Sequence, residues 1–264
     1  MGAIKNLFLI NGSTLYCKHL PAVADAVRRA ENVVWVQNDY TLPPPKATSH
    51  AESPFRKAFN ERGLVPHYWT TCKPNSAKTP KSAFINWNVL GAEYGRETAK
   101  LESNAIVYYG AWRPHREAVL QRCAALVTAA GHPLAVSSTS TAYQTVPGVV
   151  LVPPWRGGTL YGALDKYGAG LYLQDKKAAQ EDLCPATRFY EMLSCGLPML
   201  FCKEAVAPLS WHGIDVSQFV IDEWDINAFL TQRGTIARQQ DAWMRDFEGE
   251  LRTNVTEAWN ALNS

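Results

Sequence analysis

An α/β fold made of two parallel-sheet units is what the sequence predicts, and three observations carry that prediction. Short apolar runs alternate with segments of helical period, the pattern of strands joined by covering helices. The alternation begins near residue 6 and restarts near residue 103. The chain has 264 residues, 47% hydrophobic and 19% charged, which at ~150 residues per domain is the length of two small domains or one large one and is the composition of a globular protein.

The elements follow in order. Asn6 to Ile10 is an apolar run closed by Asn11-Gly12-Ser13, a buried strand and a tight turn. Leu20 to Ala30 reads as a helix with Pro21 in its first turn, and Val33 to Gln37 as the next strand. Pro43-Pro44-Pro45 blocks regular structure, and Ser53-Pro54 opens a helix to about Arg62. Pro66–Thr70 and Ala83–Trp87 are strand candidates, with Cys72 to Lys81 a basic loop between them. In the second half, strands are expected at Ala105–Tyr109, Leu134–Ser137, Val149–Val152, Leu171–Gln174, Met199–Cys202 and Phe219–Ile221. Helices are expected at Arg116–Ala130 and at Ala186–Cys195, the latter stopped by Gly196 and Pro198. The last helix, Thr235 to Leu262, carries Trp243, Phe247, Leu251, Val255 and Trp259 at every fourth position, one apolar stripe for docking onto the body.

Composition narrows the classes further. No apolar run approaches the roughly 18 residues of a membrane span, and Leu7–Ile10 is too short for a signal-peptide core. A cytoplasmic protein with no membrane partner is expected. Its six cysteines form no C-x-x-C pair and read as reduced, mostly core thiols. Scattered histidines, with no H-E-x-x-H, argue against a zinc enzyme, and no metal site is expected. The net charge of +2 conceals a split: residues 1–104 carry 13 basic and 8 acidic residues, and residues 105–264 carry 13 and 16. Between Lys46 and Lys81 seven basic residues face only Glu52 and Glu61. Such a segment is either a polyanion-binding surface or an ordinary solvated one.

Three clusters carry candidate chemistry. In Tyr108-Tyr109-Gly110-Ala111-Trp112-Arg113-Pro114-His115-Arg116, a strand end and a glycine precede two arginines at a helix start. Helix N-termini and guanidinium forks both suit phosphate; the plain alternative is two solvated arginines. In Thr187-Arg188-Phe189-Tyr190-Glu191, Arg188 and Glu191 share a helix face. There the plain alternative is a surface ion pair. In Val36-Gln37-Asn38-Asp39-Tyr40-Thr41-Leu42-Pro43, a carboxylate follows a buried strand, where parallel sheets present their ligands. An aspartate bonding its own turn backbone is the competing reading.

The string from Pro185 to Pro198 resembles the donor-site helix of nucleotide-sugar glycosyltransferases of the GT-B fold. Asp39-Tyr40-Thr41-Leu42-Pro43, the Arg113/Arg116 pair and the Arg188/Glu191 pair are together similar to segments of the phage DNA β-glucosyltransferases. This resemblance implies two Rossmann-like domains with parallel sheets facing a central cleft, and a C-terminal helix packing back across them. Residues 1–103 would bind the acceptor, 104–234 the nucleotide sugar, and 235–264 would form the returning helix. It implies a donor site of Gly110, Arg113, Arg116, Arg188 and Glu191, with Val152 presenting backbone to the base. Asp39 would be the general base of an inverting transfer.

From the basic segment and the resemblance together, the acceptor is expected to be double-stranded DNA carrying 5-hydroxymethylcytosine or 5-hydroxymethyluracil, in a phage-infected bacterium. Lys73, Lys78, Lys81, Trp69 and Asn88 are its candidate contacts. UDP-glucose is the expected donor. No cofactor is expected, a divalent ion being admissible but not required, since no D-x-D string occurs. The protein is expected to be a monomer. Alternatives are a GT-B transferase acting on a polysaccharide, lipid or protein, a sugar-nucleotide epimerase, and a non-catalytic DNA- or nucleotide-binding module.

Overall fold

A computed structural model describes residues 3–10, 13–37, 61–91, 101, 103–155, 159–174 and 185–264. They divide into two compact units. One holds the residues up to Trp87 together with Glu250–Ser264; the other runs from Asn88 to Gly249. The division therefore falls after Trp87, where the sequence pattern suggested residue 103.

The sheet of the first unit has four strands, β1 (Ile4–Ile10), β2 (Ala30–Gln37), β3 (His67–Thr70) and β4 (Ser82–Phe84), in that order. All pair in parallel. The run Val33-Val34-Trp35-Val36 is buried without interruption because each face of β2 is covered. Val33 and Trp35 pack with Leu9, Ala24 and Val27, the last two from helix α1 (Ser13–Arg29). Val34 and Val36 pack on the other face with Leu262, flanked by Phe8, Trp69 and Trp87.

Two local expectations are corrected here. Helix α1 starts at Ser13, so Pro21 lies inside it rather than in its first turn. The proline removes one backbone hydrogen bond, and the 17-residue helix runs through it. Residues Lys73–Lys78, expected as loop, form helix α2 with Pro74 in its first turn. That position tolerates proline because the N–H there has no intrahelical acceptor. Lys81, at φ 54°, turns the chain into β4.

The second unit has a five-stranded parallel sheet of β5 (Ile106–Tyr109), β6 (Leu134–Ser137), β7 (Val149–Val152), β8 (Ala169–Tyr172) and β9 (Met199–Phe201). The order is β7-β6-β5-β8-β9. The chain thus builds outward from β5 in one direction, then returns to its other side. The connecting helices are α3 (Asn88–Gly91), α4 (Glu117–Ala129), α5 (Thr159–Leu164), α6 (Thr187–Ser194) and α7 (Val206–Ser210). The expected strand at Phe219–Ile221 is not formed. A 3₁₀ turn occupies Ser217–Phe219, and only Val220 bridges to Phe201.

Helix α8 spans Ile226–Asn263. The expected stripe holds for half its length. Phe247 and Leu251 are buried, but Val255 and Trp259 are exposed, and Ala258 and Leu262 take their places. A four-residue step advances about 400° around a helix of 3.6 residues per turn. A strict four-residue repeat therefore drifts off the core, and mixed three- and four-residue steps follow it. Gln240 of α8 is fully buried and closes β9: Met199 N–H donates to its Oε1 (2.7 Å), and its Nε2 donates to Met199 O (2.9 Å).

Cys72, Cys123, Cys195 and Cys202 are buried thiols, and burial pushes the Cys195 and Cys202 thiols up to about 12. Among the described residues no helix is long and apolar enough to cross a membrane. No group of three or more His, Cys, Asp or Glu in that set could hold a metal ion.

Candidate functional site

The reversal of strand order places a crevice at the carboxyl ends of β5 and β8, where open parallel sheets bind ligands. Gly110 follows β5 there. Its φ of +147° is a conformation side-chain-bearing residues rarely adopt, and a Cβ would sit 3.3 Å from both Arg188 Nη1 and the Tyr108 hydroxyl. The glycine thus leaves room for the arginine beside the strand end.

Arg188 comes from the first turn of α6, whose N-cap, Ala186, offers no side-chain acceptor. Its guanidinium lies over the Tyr108 ring from β5 (5.4 Å) and the Tyr172 ring from β8 (5.2 Å). Nη2 donates to the Leu173 carbonyl at 2.6 Å. Two rings and a carbonyl therefore hold the cation across the switch point. Glu191, one turn further on, accepts a hydrogen bond from the Tyr109 hydroxyl at 2.8 Å. Burial raises the Glu191 carboxyl above its usual range, while Tyr109 and Arg188 pull it back. The Tyr109 phenol is pushed well up, by burial first and by Glu191 next.

Arg113 precedes and Arg116 ends a 3₁₀ turn, Pro114–Arg116, leading into α4, and Arg113 is exposed. Both line a small crevice with Tyr108, Trp112, Tyr143 and Leu173. Tyr143 ties this side to the strand end by donating to Gly110 O at 3.2 Å. Its phenol is raised by burial first and by Tyr108 next, and is pulled down by Arg188 and Arg116. Arg113 and Arg116 thus share a crevice with Tyr108 and Tyr143, the tyrosines that meet Arg188 and the Gly110 carbonyl, while Glu191 is held by Tyr109. Val152 stands apart: it ends β7, an edge strand two positions from β5, which is about 10 Å at normal strand spacing. The Pro153 carbonyl just beyond it already accepts from Ser137 Oγ at 3.1 Å.

The acceptor candidates are less uniform. Trp69, Lys73 and Lys81 line one groove of the first unit, about 620 Å³, with His67, Glu250 and Glu257. Lys73 is paired with Glu250 at 2.5 Å. Burial and nearby Lys81 lower the His67 pKa. The groove is therefore of mixed charge rather than simply basic. Arg62, from the same basic segment, donates to the carbonyls of Val27 (2.9 Å) and Ala30. Asn88 does not line this groove; it starts α3 in the second unit. Asp39, the expected base, lies outside the described residues, as do Lys46, Arg56, Lys57 and the side chain of Lys78.

Four site residues escaped the sequence reading: Tyr108, Tyr109, Tyr143 and Tyr172. The adjacent tyrosines at the end of an apolar strand were the available signal. Successive strand residues point to opposite faces, so Tyr108 reaches Arg188 while Tyr109 reaches Glu191.

Two α/β units, each with a parallel sheet, and a crevice at the switch point of the second sheet define the class of fold. Comparison with solved structures makes it specific: the chain has the GT-B fold of nucleotide-sugar glycosyltransferases. It is similar to an alpha-glucosyltransferase solved with UDP and a 13-mer DNA containing a central A:G mismatch, at TM-score 0.57 and 11% identity. That match covers 99% of this chain and 79% of the other. It is also similar to TarM, at TM-score 0.54 and 9% identity over 92% of this chain, and spans about half of TarM's length (53%). No protein-family model matches the sequence, and comparison with curated sequences finds no match.

Proposed function

We propose that the chain is a nucleotide-sugar glycosyltransferase whose second unit binds the donor, with UDP-glucose as the first candidate. The observation that carries this is Arg188, held between Tyr108 and Tyr172 at the switch point one turn from Glu191. Breaking a glycosidic bond to a diphosphate moves negative charge onto it. A cation already fixed there stabilises that charge without reorganising. Arg113 and Arg116 add charge at the neighbouring helix start. Glu191 is a hydrogen-bond acceptor suited to ribose hydroxyls.

For the acceptor we propose the hydroxyl of a 5-hydroxymethylpyrimidine in DNA, with Asp39 taking its proton as the oxygen attacks the anomeric carbon. One displacement with one base inverts that centre. The basic segment Lys46–Lys81 and the fold shared with a glucosyltransferase solved with DNA support this choice. A second reading, a polysaccharide, lipid or protein acceptor, is favoured by the mixed charge of the groove and by the internal contacts of Lys73 and Arg62.

The deciding experiment incubates the protein with UDP-glucose and DNA containing 5-hydroxymethylcytosine or 5-hydroxymethyluracil, followed by nucleoside mass spectrometry. A hexose added to the modified nucleoside, lost in Asp39→Asn, is expected. UDP release with only a non-nucleic acceptor would discard the DNA proposal and keep the transferase. Absence of UDP binding altogether would discard both. The anomeric configuration of the product tests inversion.

A further inference from the structure

We infer that Tyr109 is a positioning residue for the nucleotide: its hydroxyl fixes the Glu191 carboxylate as the hydrogen-bond acceptor that reads the ribose. This rests on the donor-site reading above. Glu191 projects from a helix, and a carboxylate there has rotamer freedom that a ligand must otherwise freeze. The Tyr109 hydroxyl removes that freedom, donating to Oε2 at 2.8 Å. It also approaches the Arg188 carbonyl at 3.4 Å, so strand β5 is tied to the first turn of α6 at both functional residues. The ring itself is braced edge-on by Trp155 at 5.7 Å, and Trp155 by Tyr167 at 5.8 Å. With one lone pair of Oε2 engaged by Tyr109, the carboxylate keeps acceptor sites on both oxygens for further donors.

The same contact governs the protonation of Glu191. Burial raises that carboxyl; the Tyr109 hydrogen bond and the Arg188 charge lower it. Cys195 is a further titratable neighbour, its thiol raised by burial first and then by Asp165 and Glu191. A protonated Glu191 loses its charge and turns one oxygen into a donor, so it accepts less strongly from a ribose hydroxyl. Removing the Tyr109 hydroxyl therefore weakens ribose recognition twice, by freeing the carboxylate and by making it easier to protonate.

The test is calorimetric binding of UDP and of 2′-deoxy-UDP to the full chain and to Tyr109→Phe, Glu191→Gln and the double variant, at several pH values. Tyr109→Phe keeps the ring on Trp155, and matched thermal melts confirm folding. Wild type is expected to prefer UDP over its deoxy analogue. Tyr109→Phe should bind UDP about tenfold more weakly, since a hydrogen bond to a charged group is lost, and should lose most of that preference. Its affinity should also begin to fall at a higher pH on acidification. In the Glu191→Gln background the Tyr109→Phe change should have little further effect, which a purely structural role would not produce. Wild-type binding of UDP with an unchanged preference in Tyr109→Phe, or additive losses in the double variant, overturns the inference and leaves the donor site standing. Failure of the folded wild type to bind UDP overturns the donor site and this inference with it.

Discussion

At the scale of single residues, the site depends on side chains that hold other side chains. Arg188 is fixed by two rings and a carbonyl. Arg188→Met should keep much of the packing between Tyr108 and Tyr172 and lose the charge, so UDP affinity should fall at least tenfold in calorimetry. Gly110→Ala should act on both stability and binding. The φ of +147° is strained for alanine, and the new Cβ meets Arg188. A cost of about 1–3 kcal/mol in urea melts is expected, with weaker nucleotide binding. Away from the site, Arg122 makes a bidentate pair with Glu204 (2.8 and 2.7 Å) and reaches Asp222 at 2.9 Å. The guanidinium hydrogen bond lowers the Glu204 carboxyl, burial opposing it. A carboxyl lowered in the folded state stabilises the protein above its unfolded pKa, and that stability is lost as pH falls through the folded value. Urea midpoints measured from pH 7 downward should therefore drop on acidification, and Glu204→Gln should flatten the drop while lowering the midpoint at pH 7.

At the scale of elements, α8 offers two contrasts. Leu251→Ala should cost about 2–4 kcal/mol, because a buried side chain leaves a cavity. Val255→Ala, four residues on but exposed, should change stability by about 0.5 kcal/mol or less. A sequence stripe that treated both alike would predict equal losses, so paired denaturant melts separate the two descriptions. Gln240→Ala should be as damaging as a core truncation. It leaves the N–H and C=O of Met199 without their partners inside the protein, at about 1–3 kcal/mol for each buried group. No apolar pattern could have revealed that residue, since a glutamine on a helix usually faces water.

The other elements divide along the same physical line. Nearly every strand was legible because parallel strands buried on both faces read as short apolar runs, as Val33–Val36 and Leu134–Ser137 do. Helix α2 was not, since lysines and prolines dominate its six residues and its short length carries no periodicity. Phe219–Ile221 is apolar and buried, yet only one bridge forms there, because burial in a turn and burial in a strand select the same residues. In the site, Arg188 and Glu191 stood out because their helix resembles a GT-B donor-site helix, and Gly110 by its place at a strand end. The tyrosines that hold them were hidden, because a buried tyrosine looks like core until its hydroxyl partner is known. Lys73 and Arg62 show a second gap: charge in sequence says nothing of the carboxylate or carbonyl that pairs with it in the fold.

At the scale of the whole molecule, the first unit is not a continuous stretch of chain. Its sheet is covered by Leu262, Asn32 Nδ2 donates to the Leu262 carbonyl at 3.0 Å, and Asn254 Nδ2 donates to Phe84 O at 2.9 Å. Deleting residues 250–264 should therefore unfold the first unit while the second keeps its sheet. Hydrogen exchange should then show lost protection in β1 to β4 and retained protection in β5, β6 and β8.

That discontinuity also dictates an order of events during synthesis. The four-stranded sheet is made before the second unit, but the C-terminal segment of α8 that shields one of its faces is made only after that unit, some 160 residues later. At about 5–20 residues per second, Val34, Val36 and their aromatic neighbours wait roughly ten to thirty seconds for their cover. A nascent chain of this protein therefore carries a half-dressed sheet through most of its translation. Its yield in a cell should depend on chaperones that bind apolar strands, more than the stability of the finished molecule would suggest.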